Sequence, residues 1–326
     1  MYVGQQVQPD YPRSVTAKFR AARDLQDGAD PVVVWLDTDR AGSQKGQTTL
    51  AWIGREGQAR TTRLAARRWK EREVRSVPVS ADDLDAAMRD LAKWARELPR
   101  AERERAEVRR RALADEVTPG TLAATSRAFA SILLDAVLGF APSSVFGSEL
   151  VAAGVLDVPM NAVLGSLHDV VAVIGDAIDA LHAADVDPVL KPLPDDYLPL
   201  HVACSRDGAR RRLRHLRAGA DHVGVSACPC GQEDRFHLGA GTLSLGALAG
   251  TDRWSPDVTL PVYLNGVSSG VVVGRSSALY GIVLNQVVEK VLGEPPVPML
   301  IPPDLASALD DQRRPDSLLF DYLTAP

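Results

Sequence analysis

No apolar run in the chain approaches the ~20 residues that a bilayer-crossing helix needs, and nothing in it resembles a signal peptide. Positive charge is not in excess either: the formal net charge is −5. Such a chain has no field to hold phosphate backbones or anionic membrane surfaces, which excludes a general nucleic-acid or membrane-surface binder. Cysteine is scarce. Three cysteines make a poor disulfide framework and suit a reducing cytoplasm with metal or thiol chemistry. The chain also has no GxxxxGK[ST] phosphate loop, no GxGxxG turn, no HExxH helix and no Ser–His–Asp order, so none of those chemistries is written into it.

The most informative stretch present is Pro31–Lys45, PVVVWLDTDRAGSQK. Its β-branched run from Val32 to Trp35 reads as a strand buried on both faces, as in a parallel sheet under helices. Ligands of open α/β sheets gather beyond the carboxyl ends of such strands. Asp37 and Asp39 stand at that edge and Lys45 follows. They fit a binding edge or, equally, a strand end capped by acidic turn residues. Upstream, a Gly4-Gln5-Gln6 loop precedes a helix over about 14–26. Downstream, 48–53 and 59–64 read as a hairpin, followed by a basic run (Arg67, Arg68, Lys70, Arg72, Arg75) that is a solvated edge or else a grip for an anionic ligand. Ser80 caps a helix reaching about Glu97, and the Glu/Arg alternation over 101–116 reads as an exposed helical face.

A more apolar helix runs to Leu138, Ser143–Phe146 reads as a strand, and 161–184 as one amphipathic helix. Prolines 188, 192, 194 and 199 then mark a linker into short strands near 200–204, 209–216, 224–227 and 235–238. Val271–Val273 is another buried strand, running through Gly274-Arg275-Ser276-Ser277 into a helix near 278–292. Met299–Ile301 is a last strand, and the tail from Asp304 is expected to be helical at first and then loosely held. The fold class is therefore α/β: a Rossmann-like doubly wound parallel sheet with a small inserted β-rich module. The expected domains are a core over 1–185, the module over 186–250, and the second part of the core with the tail over 251–326.

Two constellations carry chemistry. Gly274-Arg275-Ser276-Ser277 entering a helix gathers N–H groups, hydroxyls and a guanidinium suited to phosphate or carboxylate, or else it is an ordinary N-cap with Ser276 or Ser277. The second is C-x23-C-x-C-x6-H, made by Cys204, Cys228, Cys230 and His237, with His201, His215 and His222 nearby. Thiolates and imidazole are the preferred tetrahedral ligands of zinc, so these four residues are the expected structural zinc site. Unbonded cysteines and a redox or nucleophilic role are the alternatives.

The order GQQ, PVVVWLDTDRAG, DG-x-RRRL, FHLG and WSPDVTLPVYL resembles the cysteine-adding enzymes of bacillithiol synthesis (BshC) over residues 2–303. The resemblance implies a Rossmann-like core akin to class I aminoacyl-tRNA synthetases. It also implies a cytoplasmic ATP- and Mg²⁺-using ligase that joins cysteine to the amine of a glucosaminyl-malate acceptor. Carried over by position, Gly4, Gln5, Gln6, Lys18, Asp37, Asp39, Ser255, Asp257 and Gly274 would line or shape the active cleft. Asp37 and Asp39 would bind Mg²⁺ or the substrate ammonium, with Arg275 completing the catalytic set. Lys45, Ser276 and Ser277 would contact substrate. Where the family carries EDHD this chain reads Asp37-Thr38-Asp39-Arg40, and its GGPxE turn becomes Gly274-Arg275-Ser276-Ser277-Ala278. The expected function is an amide-forming ligase acting on an amino acid and a small amine, with no nucleic-acid or membrane partner. The alternative is a non-catalytic, zinc-braced binding or partner subunit that docks a second protein or a second copy. Nucleotidyl transfer on the same core is a third possibility.

Overall fold

The computed structural model describes residues 2–26, 29–42, 48–53, 59–188, 190–257, 270–302 and 317–325. The chain forms two compact units: Met1–Tyr2 with Phe146–Ile301, and Val3–Val145 with Pro302–Pro326. Residues 186–250 lie inside the first of these.

Taken in chain order, Gly4-Gln5-Gln6 is part of a strand, β1 (Tyr2–Gln6), where a loop was expected. Helix α1 (Ser14–Asp24) follows, burying Val15, Phe19 and Ala22 on one face, and then β2 (Val32–Leu36). Val33, Val34 and Trp35 are all buried, as a strand covered on both faces requires. Tyr11 stacks on Trp35 with ring centroids 5.8 Å apart. β3 (Thr49–Ile53) and β4 (Ala59–Arg63) pair antiparallel as the expected hairpin. β5 (Pro78–Val79) pairs with β6 (Gly120–Thr121).

Between those two short strands run α2 (Ala81–Ala95) and α3 (Arg100–Glu116), and α4 (Leu122–Leu138) follows. Ser80 Oγ accepts the Asp83 N–H while the Asp83 carboxylate accepts the Ser80 N–H, a reciprocal cap that satisfies two otherwise orphan donors. On α3 only Ala106 and Leu113 are buried. Glu107 pairs there with Arg110 and Arg111, one helical turn away, so the charge alternation is a solvated face.

β7 (Ser143–Phe146) leads into α5 (Gly147–Ala152), α6 (Asp157–Gly165) and α7 (Leu167–Ala183). The single amphipathic helix expected over 161–184 is thus two, bent by 81° at Ser166. A Gly165-Ser166 pair is a weak point of helical hydrogen bonding, and the chain turns there. Among the described residues no single helix is long and apolar enough to cross a membrane.

The proline-marked linker opens into β8 (Tyr197–Ala203), β9 (Arg210–Ala218), β10 (Asp221–Ala227), β11 (Glu233–Ala240) and β12 (Trp254–Pro256). These form one antiparallel sheet in the order β11-β10-β9-β8-β12. β13 (Val271–Val272), α8 (Arg275–Lys290) and β14 (Met299–Leu300) follow. α7 and α8 pack against each other, and each buries an apolar stripe: Val170, Ile174 and Ile178 on α7, and Val283, Leu284 and Val287 on α8. A five-strand parallel sheet runs in the order β14-β13-β1-β2-β7, so the protein is a mixed α/β fold.

The start of the tail, expected to be helical from Asp304, lies outside the described residues, but its end is not loosely held. α9 (Leu318–Thr324) buries Leu318, Leu319 and Leu323 and is held by specific polar contacts. Asp10 accepts from Ser317 Oγ at 2.7 Å and from the Leu319 N–H at 2.9 Å. Arg109 donates to the carbonyls of Tyr322 and Ala325. Phe320 meets Trp52 edge-on at 4.9 Å, so this helix completes a core that the hairpin and α2 leave open.

Candidate metal centre

Successive strands of an antiparallel meander reverse direction, so its first and third turns emerge at the same edge. In the β8–β11 meander those turns are Cys204–Ala209 and Cys228–Gln232. Each is closed by its own backbone: Cys204 N–H to Ala209 O at 2.8 Å, and Cys228 N–H to Gln232 O at 2.9 Å. Gly208 (φ 72°) and Gly231 (φ 87°) take the left-handed conformation that each tight reversal needs. The turns are also tied to each other. Asp234 accepts from Ser205 N–H and Oγ, and Arg206 donates to the Cys230 carbonyl at 3.1 Å.

This arrangement brings four metal-ligating side chains together. One donor atom each from Cys204, Asp207, Cys228 and Cys230 lies within 4.8 Å of the others, a group that could hold a metal ion. Cys204 Sγ and Cys230 Sγ are 3.7 Å apart, and Cys228 Sγ is 3.3 Å from an Asp207 oxygen. Three sulfurs and one carboxylate oxygen converging from two rigid turns match the donor number and softness that zinc takes. The electrostatics favour the anionic form of two of the four, Asp207 and Cys228, and oppose it at Cys204. Asp207 is held down to about 2, first by the Ala209 N–H and then by the neighbouring thiols. Burial opposes the Cys228 thiolate, but the Cys230 N–H and the Arg211 guanidinium outweigh it and lower that thiol. Burial pushes Cys204 up to about 12. Its deprotonation therefore waits on a cation arriving in the site, as metal ligation commonly does for thiols.

His237 is not in this group, and Asp207 stands in the place expected for it. The x6 spacing from Cys230 is spent along an extended strand. His237 pairs with Val223, four residues beyond Glu233, about 13 Å along the strand from the turn at ~3.3 Å per residue. Its ring lies 3.5 Å from Asp221 instead. The other histidines are elsewhere too. His215 Nε2 and His222 Nδ1 meet at 2.9 Å with stacked rings, near the opposite turn. His201 faces Asp257 at 4.0 Å. The missed ligand carried a readable signal: Cys204-x2-Asp207-Gly208 sets a carboxylate one tight turn from a cysteine, with a glycine to close the reversal.

The residues expected at the sheet edge divide between the two units. Within Val3–Val145, Gln6 Nε2 donates to Asp39 at 2.8 Å and Lys18 Nζ donates to Gln5 Oε1 at 3.0 Å. Gly4 lies in β1 beside them in sequence. Burial lowers the Lys18 ammonium below its ordinary value. Asp37 is 1% exposed, and its carbonyl, like that of Asp39, accepts from the 74–75 backbone. Lys45 lies outside the described residues.

In the other unit Gly274 is the N-cap of α8, without a side-chain cap bond, so neither Ser276 nor Ser277 has that role. The Ser277 N–H turns back to the Gly274 carbonyl at 3.0 Å. Arg275 and Ser276 open the helix, and their side chains are outside what the structure describes. The RRRL and WSPD motifs also meet: Arg210 reaches Ser255 Oγ and the Pro256 carbonyl, while Arg212 and Tyr197 both reach Asp257 at 3.2 Å. No family model matches the chain, and no curated protein matches it.

Proposed function

We propose that the chain is a zinc-braced, ATP-using ligase of Rossmann-like build, resembling the cysteine-adding enzymes of bacillithiol synthesis and joining an amino acid, cysteine first, to a small amine. The observation that carries the reading is a pair of polar contacts at the ends of β1 and β2. Residues 33 positions apart are hydrogen-bonded there, Gln6 to Asp39, with Lys18 on Gln5 and a buried Asp37 alongside. A carboxylate held by Gln6 and a partly desolvated ammonium held by Gln5, its neighbour in the strand, are groups that can take the two charges of a zwitterionic substrate. Asp37 and Asp39 would hold either its ammonium or Mg²⁺, while Lys18 meets a carboxylate or phosphate. ATP supplies the activation of the carboxylate, and Asp37 and Asp39 are the residues that would hold Mg²⁺. Zinc is the brace of the β module, bound by Cys204, Asp207, Cys228 and Cys230, with no part in the reaction.

The test incubates the purified full chain with ATP, cysteine and a panel of small primary amines that includes glucosaminyl-malate. Nucleotide consumption and the amide product are followed together. Consumption is expected to need both substrates, and Asp39→Asn is expected to lower kcat/KM by roughly 100-fold, the scale of one lost charge-stabilising contact. Absence of turnover together with no heat of nucleotide binding overturns the ligase. A chain that then still carries one equivalent of zinc leaves the non-catalytic, zinc-braced reading in its place.

A further inference from the structure

We infer that Cys204 and Cys230 form a thiol modification site within the metal centre: a hydroperoxide converts the pair to an intramolecular disulfide and expels the metal. This rests on the zinc reading for its second half only. The geometry singles out the pair. Cys204 Sγ and Cys230 Sγ lie 3.7 Å apart, so closing to the ~2.05 Å of a disulfide asks for a shift of about 1.7 Å, within reach of side-chain rotation. Cys228 has the Asp207 carboxylate at 3.3 and 3.5 Å as a competing polar partner, whereas Cys204 and Cys230 have each other at 3.7 Å.

Exposure orders the steps. Cys204 and Cys228 are buried, at 3% and 8% exposed, while Cys230 is half-buried. The Cys230 sulfur is therefore the one an oxidant reaches first. Its thiolate attacks the distal oxygen of the hydroperoxide, the O–O bond breaks, and the leaving alkoxide takes a proton to become the alcohol. The Cys204 sulfur then attacks the resulting Cys230 sulfenic acid, releasing its thiol proton as it does so. The S–O bond breaks, the S–S bond forms, and the departing hydroxide takes a proton to become water. Two thiols lose two electrons and the peroxide gains them. Of the four donors only Cys228 and Asp207 remain, too few for a tetrahedral site, and the divalent cation leaves. The disulfide joins the same two turns that the metal joined, so oxidation exchanges one cross-link of the module for another.

The test uses the full chain in two forms, zinc-loaded and chelator-stripped, each treated with a small excess of hydrogen peroxide and mapped by mass spectrometry after alkylation. In the stripped form the expected product is a peptide pair joined through Cys204 and Cys230, with Cys228 alkylated. In the loaded form, one zinc appears in solution per disulfide formed, and dithiothreitol with added zinc reverses both changes. Dimedone added at early times is expected to label Cys230, and Cys204→Ser prolongs that label. Cross-links through Cys228, cross-links between chains, dimedone on Cys204, or overoxidised Cys230 beside an alkylated Cys204 overturn the inference. A chain that carries no zinc but still forms the Cys204–Cys230 bond removes the metal brace and leaves the modification site standing.

Discussion

Withdrawing the metal from the β module gives the sharpest test of the centre. Cys204 and Cys230 bound a segment of 27 residues (230 − 204 + 1) that contains all of β9 and β10. Closing a loop of that length with a cross-link removes about 12 cal/mol/K from the unfolded chain, or about 3.5 kcal/mol at 25 °C. A metal ion held from both turns imposes the same constraint, and Asp207 and Cys228 add two more points of attachment inside it. At ~2–4 °C per kcal/mol for a unit of this size, chelation is expected to lower the melting temperature by roughly 7–14 °C. Differential scanning calorimetry on loaded and stripped protein measures it. The control is a Cys204→Ser, Cys228→Ser double variant, whose melting temperature should not respond to chelator. A shift under about 2 °C, less than one kcal/mol on the same scale, refutes the brace, as does less than half an equivalent of zinc in protein purified without chelator.

Three further outcomes follow from the same structure. Asp207→Ala is expected to weaken zinc retention by at least about 10-fold in a competition assay with a chromogenic chelator. His237→Ala should leave it unchanged, because that ring faces Asp221. The His215 imidazole is lowered from its ordinary value of 6.5 by burial and by the His222 and Arg217 charges. The unfolded chain therefore binds the proton more readily, and stability falls as pH drops through about 6.5 toward the lower folded value. Urea midpoints between pH 5 and 8 should show this decline, and His215→Gln should flatten it. Leu319→Ala, at a fully buried position in the terminal helix, is expected to cost about 2–5 kcal/mol in urea denaturation. A loss below 1 kcal/mol would mean that α9 is not docked as described.

The sequence by itself determined where most elements form. The β-branched run 32–36, the Ser80 cap, the hairpin at 49–63 and the four meander strands were readable because each depends on neighbours within a few residues. It also determined that the three cysteines share one module, since their strands are consecutive. Tertiary structure decided which fourth side chain joins the cysteines: His237 and Asp207 are both of a type zinc accepts, and the reversal of direction at each turn puts Asp207 at the cysteine edge and carries His237 down a strand. Tertiary structure also decided that the tail docks, because the acceptor for its first turn, Asp10, lies 307 residues from Ser317. The bend at Ser166 has the same origin: a helical pattern continues across Gly165-Ser166 in the sequence, and the break becomes visible only where the two helices pack in different directions.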